Sequence, residues 1–443
     1  MLRHRLNLWG SKPLRALQSA LIFTLFLALA PRVSALADDS TSSDSKALHD
    51  LLTRMEQLES RVHALEAENA DLRSHLPTAP IASASAVVAA PPPAAAQGHS
   101  EPPPASEPSA SAMPMNVDTP HLQMRGYADI RYTANNLPGA TNSFALGQFN
   151  LFINSKLPGK FSVLAEVVTE ADSATNQFGI ELERLLLNYH YSDNFNVGFG
   201  RYHTSIGYYN TAYHHSSWMQ TTVDRPFLFE FEDGGGILPV HNVGITASGS
   251  VPSGSLGLHY VAEIGNGRAT RTEFGQNPVQ NVTDENNGKS FNFALFARPD
   301  SVRGLQFGAS GYHDHLTPLT GPNVDEVILS AHAVYIKPAF EFLNEAILIR
   351  HSPDNGLRTV NAPAFYSQIS RRWGAYRPYF RYEYVNVPDR DLIFPDVHRV
   401  NGPIVGLRYD WGEFTAFKIQ YGRTLRRLDP SYNTLSLQTS FAF

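Results

Sequence analysis

The sequence contains no cysteine, and beyond its N-terminus it contains no long apolar run. Without cysteine, disulfides play no part in the fold. A transmembrane helix needs about 20 predominantly apolar residues, and no stretch after residue 37 approaches that length without charges or glycine. The formal net charge of −6 argues against a nucleic-acid partner, because nucleic-acid-binding domains carry basic surfaces.

Signatures of enzyme chemistry are missing as well. No arrangement of nucleophile, base and oxyanion donors is recognisable, and the glycines at 234–236 form a bend rather than a phosphate-binding loop. A barrel-embedded enzyme, such as a lipase, would need a serine–histidine–acid set that cannot be read here. We therefore expect no catalytic residue, no cofactor and no metal.

Residues 1–37 have the parts of a secretory signal peptide. Basic residues precede an apolar stretch at 20–30, and Ala35 and Ala37 suit a signal peptidase. The alternative is a membrane anchor, but the stretch is well short of the roughly 20 residues that span a bilayer. The chain is predicted to be exported and cleaved before Asp38.

Residues 38–76 carry a heptad pattern. Apolar residues recur at alternating spacings of three and four over about four heptads, which indicates a coiled coil. The seam is formed by Leu48, Leu51, Met55, Leu58, Val62, Leu65, Asn69, Leu72 and Leu76. The alternative is a single amphipathic helix packed on the domain that follows. A coiled coil needs partners, so we expect an oligomer. A trimer is favoured, although the seam does not distinguish two strands from three.

Residues 77–119 are rich in alanine, proline and serine. Such a segment cannot bury a core and is expected to be a disordered, extended spacer. In polyproline geometry it could reach on the order of 100 Å. The coiled coil could therefore stand well away from the membrane.

Residues 120–443 are a succession of stretches with apolar residues on one parity only. In 122–133, Met124 and Ile130 share one face, and Arg125, Asp129 and Arg131 lie on the other. About sixteen such stretches follow one another, each close to the roughly 9–11 residues of a tilted spanning strand. Only alternate residues of a membrane barrel face lipid, so the predicted fold is all-β, a transmembrane antiparallel β-barrel of about 16 strands.

The connections between these stretches alternate between short and long. Turn-like connections such as 157–160 and 192–194 alternate with polar loops such as 265–289. This is the pattern of outer-membrane barrels, which have short periplasmic turns and longer external loops. An even strand number also puts both ends of the barrel in the periplasm, where the coiled coil is expected.

The last nine residues have the form of a closing strand. Leu435, Leu437, Phe441 and Phe443 share one parity, and polar residues occupy the other. A terminal strand that ends on phenylalanine resembles the signal read by the outer-membrane assembly machinery. Together with the signal peptide, it places the barrel in the outer membrane, among its lipids.

The residues predicted to face the inside of the barrel are polar and often charged, as a water-filled channel requires. Arginine rows in a pore favour anions, and acidic neighbours weaken that preference. The alternative is a set of ion pairs that stiffens the wall. The pore-lining candidates are Arg125, Asp129, Arg131, Arg184, Arg377, Arg381, Glu383, Arg408 and Lys418. The stretch 340–350 has no clean parity, which we attribute to a contact between barrels or to a bulge.

The segment 203–240 is too aromatic for a solvated loop. We expect it to fold into the lumen, where its rings are buried and its polar ends narrow the pore. Its candidate constriction residues are His203, Tyr208, Tyr209, His214, His215, Trp218, Asp224 and Arg225. The histidines also raise the possibility of a metal site, but adjacent histidines are a weak spacing for one, and packing within the loop is favoured.

The segment 196–225 resembles the motif of the phosphate-selective porin O/P family. The matching positions are Gly200, Arg201, Tyr202, Ile206, Gly207, Asp224 and Arg225. The coiled coil and spacer are also similar to those of related trimeric porins. The resemblance implies a trimeric, sixteen-stranded pore. It does not extend to the basic ladder of the family's constriction, because this loop has no lysine and only Arg225.

These patterns predict a passive channel for small hydrophilic or anionic solutes, a homotrimer joined through its coiled coil and barrel walls. The alternative is a structural tether, in which a plugged barrel anchors a coiled coil that holds the envelope layers together.

Overall fold

A computed structural model describes residues 121–172, 176–213, 217–231, 236–270 and 283–443. The predicted signal peptide, coiled coil and linker lie outside these residues, and so do His214 and His215. Among the described residues, no helix is both long and apolar enough to cross a membrane.

Sixteen strands make up most of the described chain. They are β1 (His121–Asn135), β2 (Ser143–Leu157), β3 (Phe161–Asp172), β4 (Gln177–Ser192), β5 (Phe195–His203), β6 (His241–Val251), β7 (Leu258–Gly265), β8 (Ser290–Ala297), β9 (Leu305–Leu316), β10 (Val324–Lys337), β11 (Phe340–Pro353), β12 (Val360–Arg371), β13 (Tyr376–Asn386), β14 (Arg399–Trp411), β15 (Thr415–Arg426) and β16 (Tyr432–Ala442). One short helix, α1, spans Tyr209–Ala212, and 3-10 turns lie at Phe227–Phe229, Gly254–Leu256 and Asp300–Val302.

The strands form a closed antiparallel barrel. Each strand pairs with its neighbours in sequence, and β1 pairs with β16 to close the sheet. The prediction of an all-β barrel of about sixteen strands is confirmed. A closed sheet leaves no edge, so the backbone groups of every strand find partners within the wall.

The two rims of the barrel differ. Short connections such as Pro158–Lys160 lie at one rim, which we call the turn end, and the longer connections lie at the other, the loop end. Strand β1 starts at the turn end and β16 finishes there, because His121 pairs near the end of β2 and Ala442 pairs with Tyr127. The alternation of short and long connections that the sequence showed is therefore a property of the fold.

Strand β11 shows how the pleat sorts side chains. Phe342 and Leu348 are exposed on the outer face, whereas Glu341, Glu345 and His351 point inward and are buried. The explanations that we gave for the mixed parity of this stretch were wrong in one respect, because β11 pairs with β10 and β12 without any register shift and so has no bulge.

The inward apolar side chains of β11 have a different explanation. Leu343, Ile347 and Ile349 belong to a large apolar cluster inside the barrel, shared with residues of the segment between β5 and β6. The main members from that segment are Ile206, Tyr208, Tyr209, Leu228, Phe229, Ile237 and Leu238. The inner face of this wall is apolar because it is covered by protein rather than by water.

Candidate functional site

The segment between β5 and β6 comprises residues 204–240, and we call it the inner loop. Its described residues, 204–213, 217–231 and 236–240, run inside the barrel. Its two ends are tied together, because the Thr204 backbone N–H donates to the Val240 carbonyl at 2.9 Å and the Thr204 hydroxyl donates to the Pro239 carbonyl. The side-chain amide of Asn210 donates to the carbonyls of Thr204 and Val240, each at 2.9 Å. These hydrogen bonds hold the two ends of the loop side by side, where it leaves β5 and where it enters β6.

Glu345 anchors the first part of the inner loop. This buried carboxylate accepts the backbone N–H groups of Tyr208 and Tyr209, the latter at 2.9 Å, and the Tyr366 hydroxyl at 2.6 Å. A carboxylate suits this position because helix α1 begins here, and the first N–H groups of a helix have no partner within it.

The approach of the loop to Glu345 requires glycine at position 207. Gly207 has a φ of +75°, and a Cβ there would lie 2.3 Å from Glu345 Oε2. Its N–H donates to the Ser330 hydroxyl at 3.1 Å. Both the conformation and the space exclude a larger residue.

The aromatic residues of the inner loop pack rather than point into solvent. Tyr209 stacks on Phe229 at 5.6 Å and meets Tyr366 edge-on at 5.9 Å. Burial raises the pKa of Tyr208, Tyr209 and Tyr213 above the ordinary tyrosine value, so their hydroxyls stay neutral. The Tyr213 hydroxyl donates to Glu341 at 3.0 Å.

Four basic side chains lie in one row around the wall. Through Gln438, consecutive register pairs connect Arg131, Lys418, Arg408 and Arg377 across strands β1 and β13–β16. We call this set the basic row. Four cations on adjacent strands repel one another unless partners compensate them.

The inner loop supplies partners for the centre of the basic row. Lys418 donates to the carbonyls of Ser217 and Thr222, and Arg408 donates to those of Trp218 (2.7 Å) and Gln220 (2.8 Å). These side chains hold the backbone of the loop, and Lys418 is buried.

The ends of the basic row meet carboxylates. Arg377 lies 4.0 Å from Glu341, and Arg131 donates to Asp224 of the inner loop at 2.6 Å. The Arg131–Asp224 pair differs from the rest because about a third of each side chain is exposed, 34% and 32%. It lies where the inside of the barrel is accessible to solvent.

A second anchor lies next to the basic row. Arg381 donates to the carbonyls of Asp224 (2.8 Å) and Arg225 (2.9 Å), and it forms a buried ion pair with Glu383. Glu383 also accepts the Phe227 N–H at 2.7 Å. The Arg225 guanidinium stacks 4.2 Å from the Phe231 ring, so it turns into the loop.

Trp218 extends to the other side of the barrel. Its ring stacks on Tyr127 at 6.0 Å and packs against the cluster of Tyr127, Phe152, Leu164, Leu186 and Tyr202. The inner loop thus touches both the β10–β15 wall and the β1–β5 wall. Near this contact, Arg184 forms a buried ion pair with Glu166 at 2.6 Å.

The remaining sequence candidates fall in three kinds of environment. Arg125 is exposed near the turn end. Asp129 is buried and accepts from the Gln148 N–H (3.1 Å) and the Gln438 amide (2.9 Å). His203 is buried, with Nδ1 3.1 Å from the Asn210 carbonyl and its ring 4.8 Å from that of His241. Within the described ranges, no group of three histidine or acidic residues could hold a metal ion.

Sequence reasoning missed several residues that shape the site. The stretch 340–350 stood out only for its lack of clean parity, although its two acids Glu341 and Glu345, spaced four apart, share a strand face and could have signalled an inner partner. Sequence reasoning also missed Glu230, a residue of the inner loop whose carboxyl group is half-buried. Burial and the nearby Asp224 charge raise the pKa of Glu230 to about 7, so it titrates near neutrality.

Sequence reasoning also missed a chain of buried ion pairs near the loop end. His351 lies between two carboxylates, with Nε2 2.9 Å from Glu326 and Nδ1 2.8 Å from Asp391. Arg268 adds a fourth charge, 3.1 Å from Glu326. The chain joins two strands to residues from two different loops.

No family model and no curated sequence matches the chain. Among solved structures, it is similar to the anion-selective porin from Comamonas acidovorans, with 13% identity over 73% of this chain and 100% of that one, at a TM-score of 0.52. The outer membrane channel DcaP of Acinetobacter baumannii matches at 11% identity over 74% of this chain and 99% of that one, at 0.52. Salmonella typhi OmpF in complex with daunomycin matches at 11% identity over 73% and 97%, at 0.51.

These likenesses concern the fold. At 11–13% identity, they show a shared barrel and carry no site residue across. The resemblance to the phosphate-selective porin O/P family stays a prediction from its motif. The described part of the chain is a closed sixteen-stranded barrel with a loop folded inside.

Proposed function

We propose that this protein is an outer-membrane channel through which small hydrophilic or anionic solutes diffuse passively. The observation that carries the proposal is the partly exposed Arg131–Asp224 ion pair inside the barrel. A packed interior would cover both side chains, whereas a third of each is open to solvent at the point where the inner loop meets β1. Charged groups at a wet constriction select solutes by size and charge.

The inner loop acts as the constriction in this proposal. Its carbonyl groups accept hydrogen bonds from Lys418 and Arg408, and Arg381 donates to the backbone carbonyls of Asp224 and Arg225. These basic residues then fix the loop, and the pore itself is lined by Arg131, Asp224 and Glu230. Anion preference is weak under this arrangement because the accessible cation is paired with a carboxylate.

The setting of the channel is part of the same proposal. The loop end faces outward, and the turn end faces the periplasm with both chain ends of the barrel. The outer faces of the strands contact lipid, and the protein forms a homotrimer through its barrel walls and the predicted coiled coil. The porin-type fold is compatible with this arrangement.

The alternative, a structural tether with a plugged barrel, is favoured by one observation. Along β10–β13, inward side chains such as Ile328, Leu343, Tyr366 and Val385 are almost completely buried by the inner loop. If the rest of the interior were filled in the same way, no solute could pass. The two functions therefore differ in whether water continues past the Arg131–Asp224 pair.

Conductance in planar lipid bilayers tests the proposal. The purified full chain should give stepwise ion flow, and a protein that never conducts would favour the tether.

Under a salt gradient, R131Q should move the reversal potential toward cation preference and D224N toward anion preference. Arg303→Gln, an exposed arginine at the turn end, should leave it unchanged. Deleting residues 46–114 should preserve conductance in a channel and abolish the role of a tether.

A further inference from the structure

Close to the loop end, the outer face of the barrel carries basic side chains that form no ion pair with any described residue. Arg399 begins β14 and Arg423 lies near the end of β15, and both are exposed. Their register partners are Asn386 on β13 and Asn433 on β16, so neither opposes an acidic residue across the sheet. The nearby Asp389 and Asp429 pair instead with Arg427 and Arg426.

Arg399 lies about one bilayer thickness from the opposite rim. Strand β14 runs from Arg399 to Trp411. At about 3.3 Å per residue and a tilt of about 40°, the strand covers roughly 30 Å along the membrane normal. The hydrocarbon core is about as thick. Trp411 and Phe414 are exposed at the turn end, as interfacial aromatics are. When they lie at one interface, Arg399 lies at the other.

The side chains below the arginines are those of a lipid-facing surface. Phe380, Val405, Tyr421 and Leu435 are exposed on β13–β16. Tyr384 lies between this apolar band and Arg399, with its ring 5.4 Å from Phe365. The outer face thus changes from apolar to aromatic to basic along a few residues, matching the change from acyl chain to headgroup.

A surface cavity lies at this transition. It has a volume of about 330 Å³ and is lined by Tyr384, Arg399, Asn401, Leu425 and Arg426. It combines the Arg399 guanidinium, an amide and an aromatic ring with the aliphatic side chain of Leu425. The second arginine of the lining, Arg426, is paired with Asp429 at 3.6 Å. A bidentate guanidinium suits a phosphate group, and the apolar lining suits the first part of an acyl chain.

We propose that the cavity at Tyr384, Arg399, Asn401 and Leu425, together with Arg423, binds the phosphorylated headgroup of a lipid in the leaflet at the loop end. The proposal rests on the orientation given under the proposed function, but it does not require that the barrel conduct. The lipid phosphate contacts the guanidinium groups, and its chains lie along the apolar band of β13–β16.

Native mass spectrometry of the full-length protein tests the site. The probe is diphosphoryl lipid A in detergent, and retained lipid is measured as a function of its concentration. The double variant R399Q/R423Q should bind roughly 30-fold more weakly, since a basic residue near a membrane surface contributes about 1 kcal/mol. Arg371→Gln is the matched control: Arg371 is also exposed on the outer face, but at the turn end, and its loss should leave binding unchanged.

Further measurements separate lipid binding at this cavity from binding of free phosphate and from an interface between subunits. Inorganic phosphate at millimolar concentration should not displace the lipid; displacement would identify a site for free phosphate and overturn the proposal. Equal binding by the wild type and R399Q/R423Q would also overturn it. So would a change of oligomeric mass in that variant, which would identify an interface between subunits. A protein that binds lipid through these arginines but never conducts would leave this inference intact and remove the channel.

Discussion

Gly126 and Phe443 close the barrel against each other. The Gly126 N–H donates to the Phe443 carbonyl at 2.8 Å, and the Phe443 N–H donates to the Gly126 carbonyl at 2.9 Å. The terminal phenyl ring lies over the glycine, where a Cβ would come within 2.3 Å of it. The ring also packs 5.9 Å from Phe149 on the outer face. The last residue therefore occupies a space that only glycine leaves free.

Gly126→Val should weaken this closure. The added side chain displaces the ring, and overpacking of this kind costs typically about 1–3 kcal/mol. The measurement is the midpoint of heat-induced loss of the compact form on gel electrophoresis. Gly179→Val on β4 is the control, because position 179 has open space around it. Equal midpoints for G126V and the wild type would contradict the packing described here.

Glu345→Ala should loosen the inner loop. The change leaves the buried N–H groups of Tyr208 and Tyr209 without their acceptor, and each such loss costs about 1–3 kcal/mol. We expect noisier conductance and faster protease cleavage within residues 204–213. Glu413→Ala, at an exposed turn, should behave as wild type. Unchanged cleavage in E345A would show that other contacts hold the loop.

Glu230 should make ion selectivity depend on pH. Its pKa is raised to about 7, first by burial, so the carboxyl is neutral at pH 5.5 and charged at pH 8.5. Cation preference should therefore increase as the pH rises through 7. Histidines that lose charge over this range act in the same direction, so the informative comparison is the variant E230Q.

Reversal potentials at pH 5.5 and 8.5 measure this effect. E230Q should lose a substantial part of the shift between the two values, and E413Q should keep all of it. If E230Q retains the full shift, the carboxyl of residue 230 does not face the conducting path.

Asp391 should keep the loop 388–398 attached to the barrel wall even at acid pH. Burial raises its pKa, but hydrogen bonds from His351 and from the Ile393 and Phe394 N–H groups outweigh burial, and the net pKa is lowered. A lowered carboxyl pKa gives stability that is present above the unfolded value of about 3.9 and lost as the pH falls through the folded value. In the wild type, this loop should therefore be attached equally well at pH 7 and at pH 5.

Asp391→Asn removes one partner of a buried ion pair, which costs about 3–5 kcal/mol. Protease cleavage within 388–398 should be faster at both pH values and independent of pH between them. Asp396→Asn, an exposed position in the same loop, is the control. Wild-type cleavage rates in D391N would disprove the role of Asp391 as a fastening point.

Much of the site was readable only as a list of inward positions. Parity placed Arg381, Arg408 and Lys418 on the inner face, and register shows that Arg408 and Lys418 are neighbours. Parity could not show that they bind loop carbonyls. Lys418 contacts Ser217 across 201 positions of sequence, and Arg131 contacts Asp224 across 93. Periodicity within one strand carries no information on such partners. The aromatic content of residues 203–240 indicated a loop inside the barrel, and the mixed face of β11, where Glu341 and Glu345 hold that loop, was attributed to other causes.

The sequence by itself determined the barrel. Alternation of period two decides which side chains face out, the length of each stretch decides that it spans, and alternating connections decide that neighbours pair antiparallel. The aromatic content of residues 203–240 predicted a loop in the lumen, and only the tertiary structure decided how that loop is held. The path of the inner loop depends on contacts with strands that are far apart in the sequence, among them Arg131 on β1 and Lys418 on β15. Which inward charges anchor the loop and which remain accessible to solvent follows from those contacts.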